Sequence, residues 1–222
     1  PAILTTMKNL ESILSAIETS LATTEAELWD ERLDALIDLE RILAGGVVNM
    51  SLEARYLFIE KLRKMNFSAQ FTDLRSQITQ QVCRVIIATA FEYREYVAEE
   101  AQLNQIMSQF IENNIGEVLN LCKSGTRLMA TQGINCIMCL MSVCGNTGYA
   151  RTIPRFCDEI LGKKVHKNRK RGSLVGLTVA LRVWNSSCFV KHIDQLIKAV
   201  KEGATNRDPE VREEGRKLYW AM

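Results

Sequence analysis

The sequence predicts an all-α fold, a solenoid of antiparallel helix pairs. Three observations carry that expectation: apolar residues step by three and four almost throughout, chain-breaking residues are few, and breaks recur about every 40 residues. With 3 prolines and 12 glycines in 222 residues, the chain lacks the turn signal that a β-sandwich needs roughly every ten residues. Hydrophobic residues at 47% against 24% charged favour folding around a core over disorder.

Helix pairs are expected at residues 5–44, 51–92, 97–145, 148–186 and 189–222, with mid-pair breaks at 23–28, 66–72, 124–126, 163–167 and 205–208. In the first pair Leu33, Leu36, Ile37 and Leu43 form one apolar stripe, and Gly45-Gly46 closes the helix. In the second, Thr72-Asp73 precedes the stripe Ile78, Val82, Val85 and Ile86. Segments 133–144 and 174–184, in the third and fourth pairs, are apolar on more than one face. Such helices need neighbours on both sides, which a stacked repeat supplies. The fifth pair carries Phe189, Ile193, Leu196, Ile197 and Val200 at helical spacing, and Asp208-Pro209-Glu210 places proline in a first turn beside acids. A repeat of this length is that of HEAT or armadillo proteins. The chain, 1–222, is expected to be one such domain of about five pairs, and its abrupt start and end in helical sequence suggest a piece of a larger protein.

A formal charge of +2 gives no global field for nucleic acid or an anionic membrane. The 7 cysteines sit mainly in apolar helical stretches and read as small buried hydrophobes of a reducing compartment. No run of about 18 uncharged apolar residues and no signal-peptide pattern occurs, so a soluble intracellular chain, monomeric in isolation, is expected. Cys136 and Cys139, with Cys144 nearby, superficially suggest zinc. A structural zinc site wants four converging ligands, usually from loops, and no second pair stands at the right distance. His166 and His192 are isolated, without a nucleophile motif or phosphate loop. The expectation is therefore no enzyme, no cofactor and no metal. Asp208 and Arg212, four apart with the acid first, read as a local ion pair at a helix start.

In a stack of helix pairs every mid-pair turn emerges on the same edge, so distant residues form one narrow surface. The first turn ends in Trp29; the second brings Gln70, Thr72 and, one turn into its helix, Arg75. The third is Lys123 to Arg127 with Thr126, the fourth runs from Lys163 through His166, Lys167, Asn168 and Arg169, and the fifth is Asn206-Arg207-Asp208. One large aromatic followed by a row of cations suits an acidic protein surface. Tryptophan is usually mostly buried, but Trp29 stands among Glu27, Asp30, Glu31 and Arg32, ahead of the Leu33 stripe, which argues for the surface. The basic run 163–171 alone reads equally as a solvated helix end or as a nuclear-localisation or phosphate-binding patch. It lacks the interleaved aromatics of a nucleic-acid groove.

The segments Leu28-Trp29-Asp30-Glu31-Arg32-Leu33-Asp34-Ala35-Leu36, Asp73-Leu74-Arg75-Ser76-Gln77, Leu128-Met129-Ala130-Thr131-Gln132-Gly133 and 212–220, in this order, resemble the TOG domains of CLASP proteins, the cytoplasmic linker-associated regulators of microtubules. The resemblance implies a flat paddle of HEAT repeats whose turns touch αβ-tubulin or microtubule ends in the cytoplasm, cytoskeleton or spindle, with no nucleic acid and no membrane as partner. Carried over, Trp29 is the aromatic of the first turn, Thr72 and Arg75 flank the second, Thr126 and Arg127 belong to the third, Lys167, Asn168 and Arg169 to the fourth, and Arg207 to the fifth. The stretch 93–114 reads as longer than the family's usual connection, Gly172 and Gly176 are departures, and a sixth helix pair is missing. The alternative is a HEAT-type protein adaptor that docks partners on its helical faces, with Trp29 buried.

Overall fold

A computed structural model describes residues 7–23, 25–46, 50–65, 67–73, 75–143 and 151–222. The expected pair limits at 5, 145 and 148, and Cys144, lie outside the described residues. Eleven α-helices are described: α1 Met7–Ala22, α2 Trp29–Ala44, α3 Leu52–Lys64, α4 Phe67–Phe71, α5 Ser76–Glu99, α6 Ala101–Leu121, α7 Arg127–Ser142, α8 Thr152–Leu161, α9 Lys167–Val183, α10 Ile193–Ala204 and α11 Pro209–Ala221. No strand occurs among the described residues.

The helices form two layers. One is the unbroken row α2, α5, α7, α9, α11, each packed on the next; the other holds α1, α3 with α4, α6, α8 and α10. α1, α4, α6, α8 and α10 of the second layer each pack on the following helix of the first, and α3 packs between α1 and α6. Between α6 and α8 the outer layer is joined by long side chains: the Arg155 guanidinium lies over Gly116, and Arg151 N–H donates to Glu112 at 3.3 Å.

The core follows the predicted stripes. Leu36, Leu43, Ile78, Val82, Val85 and Ile86 are fully buried, and α7 and α9 take neighbours on several sides as their apolar faces require. Three expectations change. The second break is not a loop over 67–71, because Phe67 and Phe71 bury themselves in the short α4, which leaves Thr72 exposed and Asp73 half-buried after it. Residues 93–114 hold no long connection: Tyr93 and Val97 extend the buried stripe of α5 to Glu99, and Glu100 alone separates it from α6. In α10 the buried face is Leu196, Ala199, Val200 and Gly203, whereas Ile193 and Ile197 face solvent.

Gly203 and Gly215 fix the last crossing. A Cβ on Gly215 would strike the backbone of Gly203 and Ala204, so α10 and α11 touch main chain to main chain. Gly176 likewise admits the ring of Phe156 against α9.

Candidate functional site

In the row α2, α5, α7, α9, α11 the turns before the first two helices meet through Arg32 and Asp73, and those before the last three meet around Arg127, Asn168 and Glu210, so each group of turns lies at an edge of the row. The first turn is a 3₁₀ segment, Ala26–Leu28, that passes directly into α2 at Trp29. Arg32, one turn further, is only 4% exposed. Its guanidinium donates to the carbonyls of Thr23 at 3.2 Å and Glu25 at 2.8 Å, and to the Asp73 carboxylate at 2.8 Å. One side chain thus satisfies the carbonyls of the first turn and ties it to the second.

Asp73 also accepts the Arg75 backbone N–H at 2.8 Å, and the Arg75 guanidinium lies 3.6 Å from the same carboxylate. That places the guanidinium carbon 5.4 Å from the centre of the Trp29 ring, which it covers. Arg75 is the residue before α5 rather than one turn inside it. Trp29 is neither free nor buried: part of the indole rests on the core, and the remainder stands at the edge beneath Arg75. Glu25, Glu27, Asp30 and Glu31 are exposed around it. Thr72 is exposed, and its hydroxyl donates to the carbonyls of Ser68 and Ala69. Gln70 leaves the edge altogether: buried in α4, it donates to the Leu21 carbonyl at 3.0 Å.

At the third turn Thr126 precedes α7, its hydroxyl 3.2 Å from that of Ser124, and Lys123 and Arg127 are exposed. The fourth turn ends in a histidine cap, His166 Nδ1 accepting the Asn168 N–H at 3.2 Å. Beyond it the basic run divides. Lys163 and Lys164 are exposed, and Lys167 Nζ pairs with Asp208 at 2.9 Å, which raises the lysine pKa and holds the Asp208 carboxyl below its ordinary range. Arg169 holds Glu159 of α8 through two donors and Asn120 of α6 at 2.6 Å. Lys170 is buried and reaches Glu202 at 3.3 Å. The run is a solvated end only as far as Lys167; beyond it α9 sits amid α6, α7, α8 and α11 and its cations meet their acids. Arg169 is turned into the molecule, while Lys167 and half-buried Asn168 remain at the edge.

The fifth turn repeats the device of the first. Arg212, inside α11, donates to the carbonyls of Asn206 at 2.9 Å and Arg207 at 3.2 Å, and so does not pair with Asp208. Asp208 caps α11 by accepting the N–H groups of Glu210 at 3.0 Å and Val211 at 3.2 Å. Arg207 is exposed.

A family model described as CLASP N terminal matches residues 8–222. The chain belongs to the CLASP N-terminal family. Protein CLASP-2 of Caenorhabditis briggsae is 25% identical over 148 residues, 66% of this chain and 17% of that protein. The chain thus matches a small part of that CLASP relative's length. Among solved structures, an engineered protein is similar with a TM-score of 0.48 at 13% identity, covering 96% of this chain and 47% of its own. A designed armadillo repeat protein in complex with a (KR)4 peptide has a TM-score of 0.40 at 13% identity, covering 98% and 95%.

Of the residues that the CLASP resemblance selects, Thr72, Thr126, Arg127, Lys167 and Arg207 are exposed at the turns, Trp29, Arg75 and Asn168 are half-buried there, and Arg169 is turned inward. Arg32 and Arg212, which hold the first and last turns, are missed by local reading. The signal for Arg32 is its register: it heads the series Leu36, Leu39, Leu43 on the buried face of α2. The described cysteines whose thiols shift are held in the neutral form. Burial pushes the Cys122 and Cys157 thiols up to about 12, and a hydrogen bond with the Cys83 side chain, then burial, raises the Cys136 thiol. Among the described residues no helix is long and apolar enough to cross a membrane.

Proposed function

We propose that this chain is a non-catalytic tubulin-binding module of a larger microtubule regulator, and that it meets αβ-tubulin with the turns of one edge. The observation that supports the reading is Trp29, half-buried under Arg75 at the head of α2, on the same edge as the exposed cations Arg127 and Arg207. An indole already held in place loses little freedom on binding, and a buried aromatic anchor of this type contributes more than about 2 kcal/mol. The exposed cations steer and orient an acidic partner. The module acts by differential affinity for the curved and straight states of tubulin, which shifts their populations without hydrolysing nucleotide.

The test is gel filtration of the domain with soluble tubulin at low ionic strength. Co-elution of the wild type is expected, with loss in Trp29→Glu and in the Arg127→Glu, Lys167→Glu double variant, while the helical circular-dichroism spectrum is kept. Retained binding by both variants overturns the reading. A second reading, an adaptor docking partners on its helical faces, is favoured by Phe91 and Trp220, which are 63% and 83% exposed. It expects those two residues, and not Trp29, to govern partner binding.

A further inference from the structure

The turns of the third, fourth and fifth pairs enclose a groove of about 660 Å³, lined by Ser124, Arg127, Thr131, Asn168, Arg171 and Glu210 among others. Its donors are two guanidiniums, two hydroxyls and an amide; its one acid is Glu210. Arg171 lies one turn beyond Lys167 on α9, and its guanidinium is 3.6 Å from the Glu210 carboxylate at the start of α11. The contact is loose, since the side chains are 40% and 57% exposed, and the Arg171 Nε is buried with no hydrogen-bond partner among the described residues. Arg127, also in the lining, has no ion-pair partner among the described residues. A buried guanidinium N–H without an acceptor is an incomplete site.

We infer that this groove receives a glutamate or aspartate side chain of a protein partner, bound between Arg171 and Arg127, and that Glu210 is an internal carboxylate standing in for it. A planar guanidinium takes a carboxylate through two parallel bonds, and one of the Arg171 donors is unused while Glu210 sits at 3.6 Å. A partner carboxylate that takes the exposed end of the Arg171 guanidinium would displace Glu210 outward, where its exposure leaves it room. Ser124, Thr131 and Asn168 complete the lining with neutral donors, so the groove accepts one acid without repelling it. Glu210 then sets specificity: a partner must supply an acid that competes with it, which a neutral surface does not do. The inference deepens the proposed tubulin reading and names Arg171 and Glu210 as binding and gating residues that neither the family match nor the turn spacing selects.

The test compares wild type, Arg171→Gln and Glu210→Gln by binding to purified tubulin and, separately, by fluorescence anisotropy with a labelled hexaglutamate peptide. Folding is checked by circular dichroism, and Glu210→Gln serves as the informative variant if Arg171→Gln is destabilised. Expected is a several-fold gain for Glu210→Gln and a tenfold or greater loss for Arg171→Gln with both probes, a tenfold loss being about 1.4 kcal/mol. Tubulin binding unchanged in both variants overturns this inference and leaves the tubulin reading standing. Peptide binding with the expected variant pattern, but no tubulin binding by wild type, sinks the tubulin reading and keeps the groove. Binding of neither probe, or preference for a labelled oligothymidylate over the peptide, overturns the groove as a carboxylate site.

Discussion

The two ends of the edge are built on opposite principles. At the first two turns Arg32, Asp73, Arg75 and Trp29 are locked together, with the Arg32 side chain 5% and Asp73 11% exposed. At the third to fifth turns Lys123, Arg127, Lys163, Lys164 and Arg207 stand in solvent, and the pairs that do form there are partly exposed. The rim differs as well: exposed acids surround Trp29, and exposed cations dominate the far end. One end therefore offers a fixed shape that needs little ordering on contact, and the other offers charge that acts over a distance and is screened by salt. A partner recognised by both must be apolar at one end of its footprint and acidic at the other.

The sharpest way to break this contrast is through stability. Arg32→Met removes the cation from a buried pair, leaves two carbonyls without their donor and leaves Asp73 with its Arg75 contacts alone, so a loss of about 3 kcal/mol is expected. Arg127→Gln, at an exposed position, is expected to stay within about 0.5 kcal/mol. Urea denaturation followed by circular dichroism measures both, and similar midpoints for the two variants would show that the edge is uniform after all.

Binding sharpens the contrast at a smaller scale. Trp29→Ala is expected to weaken tubulin binding by roughly 30-fold, nearly independent of salt, because what it removes is desolvated contact area. Arg127→Gln and Arg207→Gln are each expected to cost about 5-fold or less at low ionic strength, and less still as salt is added. Titrations at two ionic strengths separate the cases; a Trp29 effect that fades with salt as the arginine effects do would make the indole a bystander.

How much of this is legible in the sequence depends on how far the cause lies along the chain. Leu36, Ile78, Val82 and Val85 are buried where the helical period places them, because the period records burial directly. Ile193 and Ile197 share that period and are exposed, since helical spacing gives a stripe without saying which side a neighbour covers. The basic run at 163–171 misleads for a related reason: Arg169 answers to Asn120 and Glu159, Lys170 to Glu202 and Arg171 to Glu210, all brought to it by other helices. Trp29 falls between. Its acidic neighbours in sequence place it outside the core, and Arg75, delivered by the next pair, covers what remains.

The smallest effect lies where the basic end acquires some of the order of the other. Asp208 caps α11 and accepts from Lys167, so Asp208→Ala is expected to cost about 1 kcal/mol through the cap. Asp208→Asn keeps an N-cap oxygen but forfeits the charge, and pH tells the two roles apart. The hydrogen bond from Lys167, then the Val211 and Glu210 N–H groups, depress the Asp208 carboxyl below its ordinary 3.8. A depressed carboxyl contributes stability that is fully present above the ordinary value and is lost as pH falls through the lower folded-state value. Wild type should therefore lose, as pH falls below the ordinary carboxyl value, some stability that Asp208→Asn, which has no proton to take up there, does not lose. Lys167→Gln removes the main cause of the depression but keeps the Val211 and Glu210 N–H groups, and should fall between wild type and Asp208→Asn. If all three chains show the same acid dependence in urea melts, the link between the fourth and fifth turns is a cap alone and the charges across it contribute nothing.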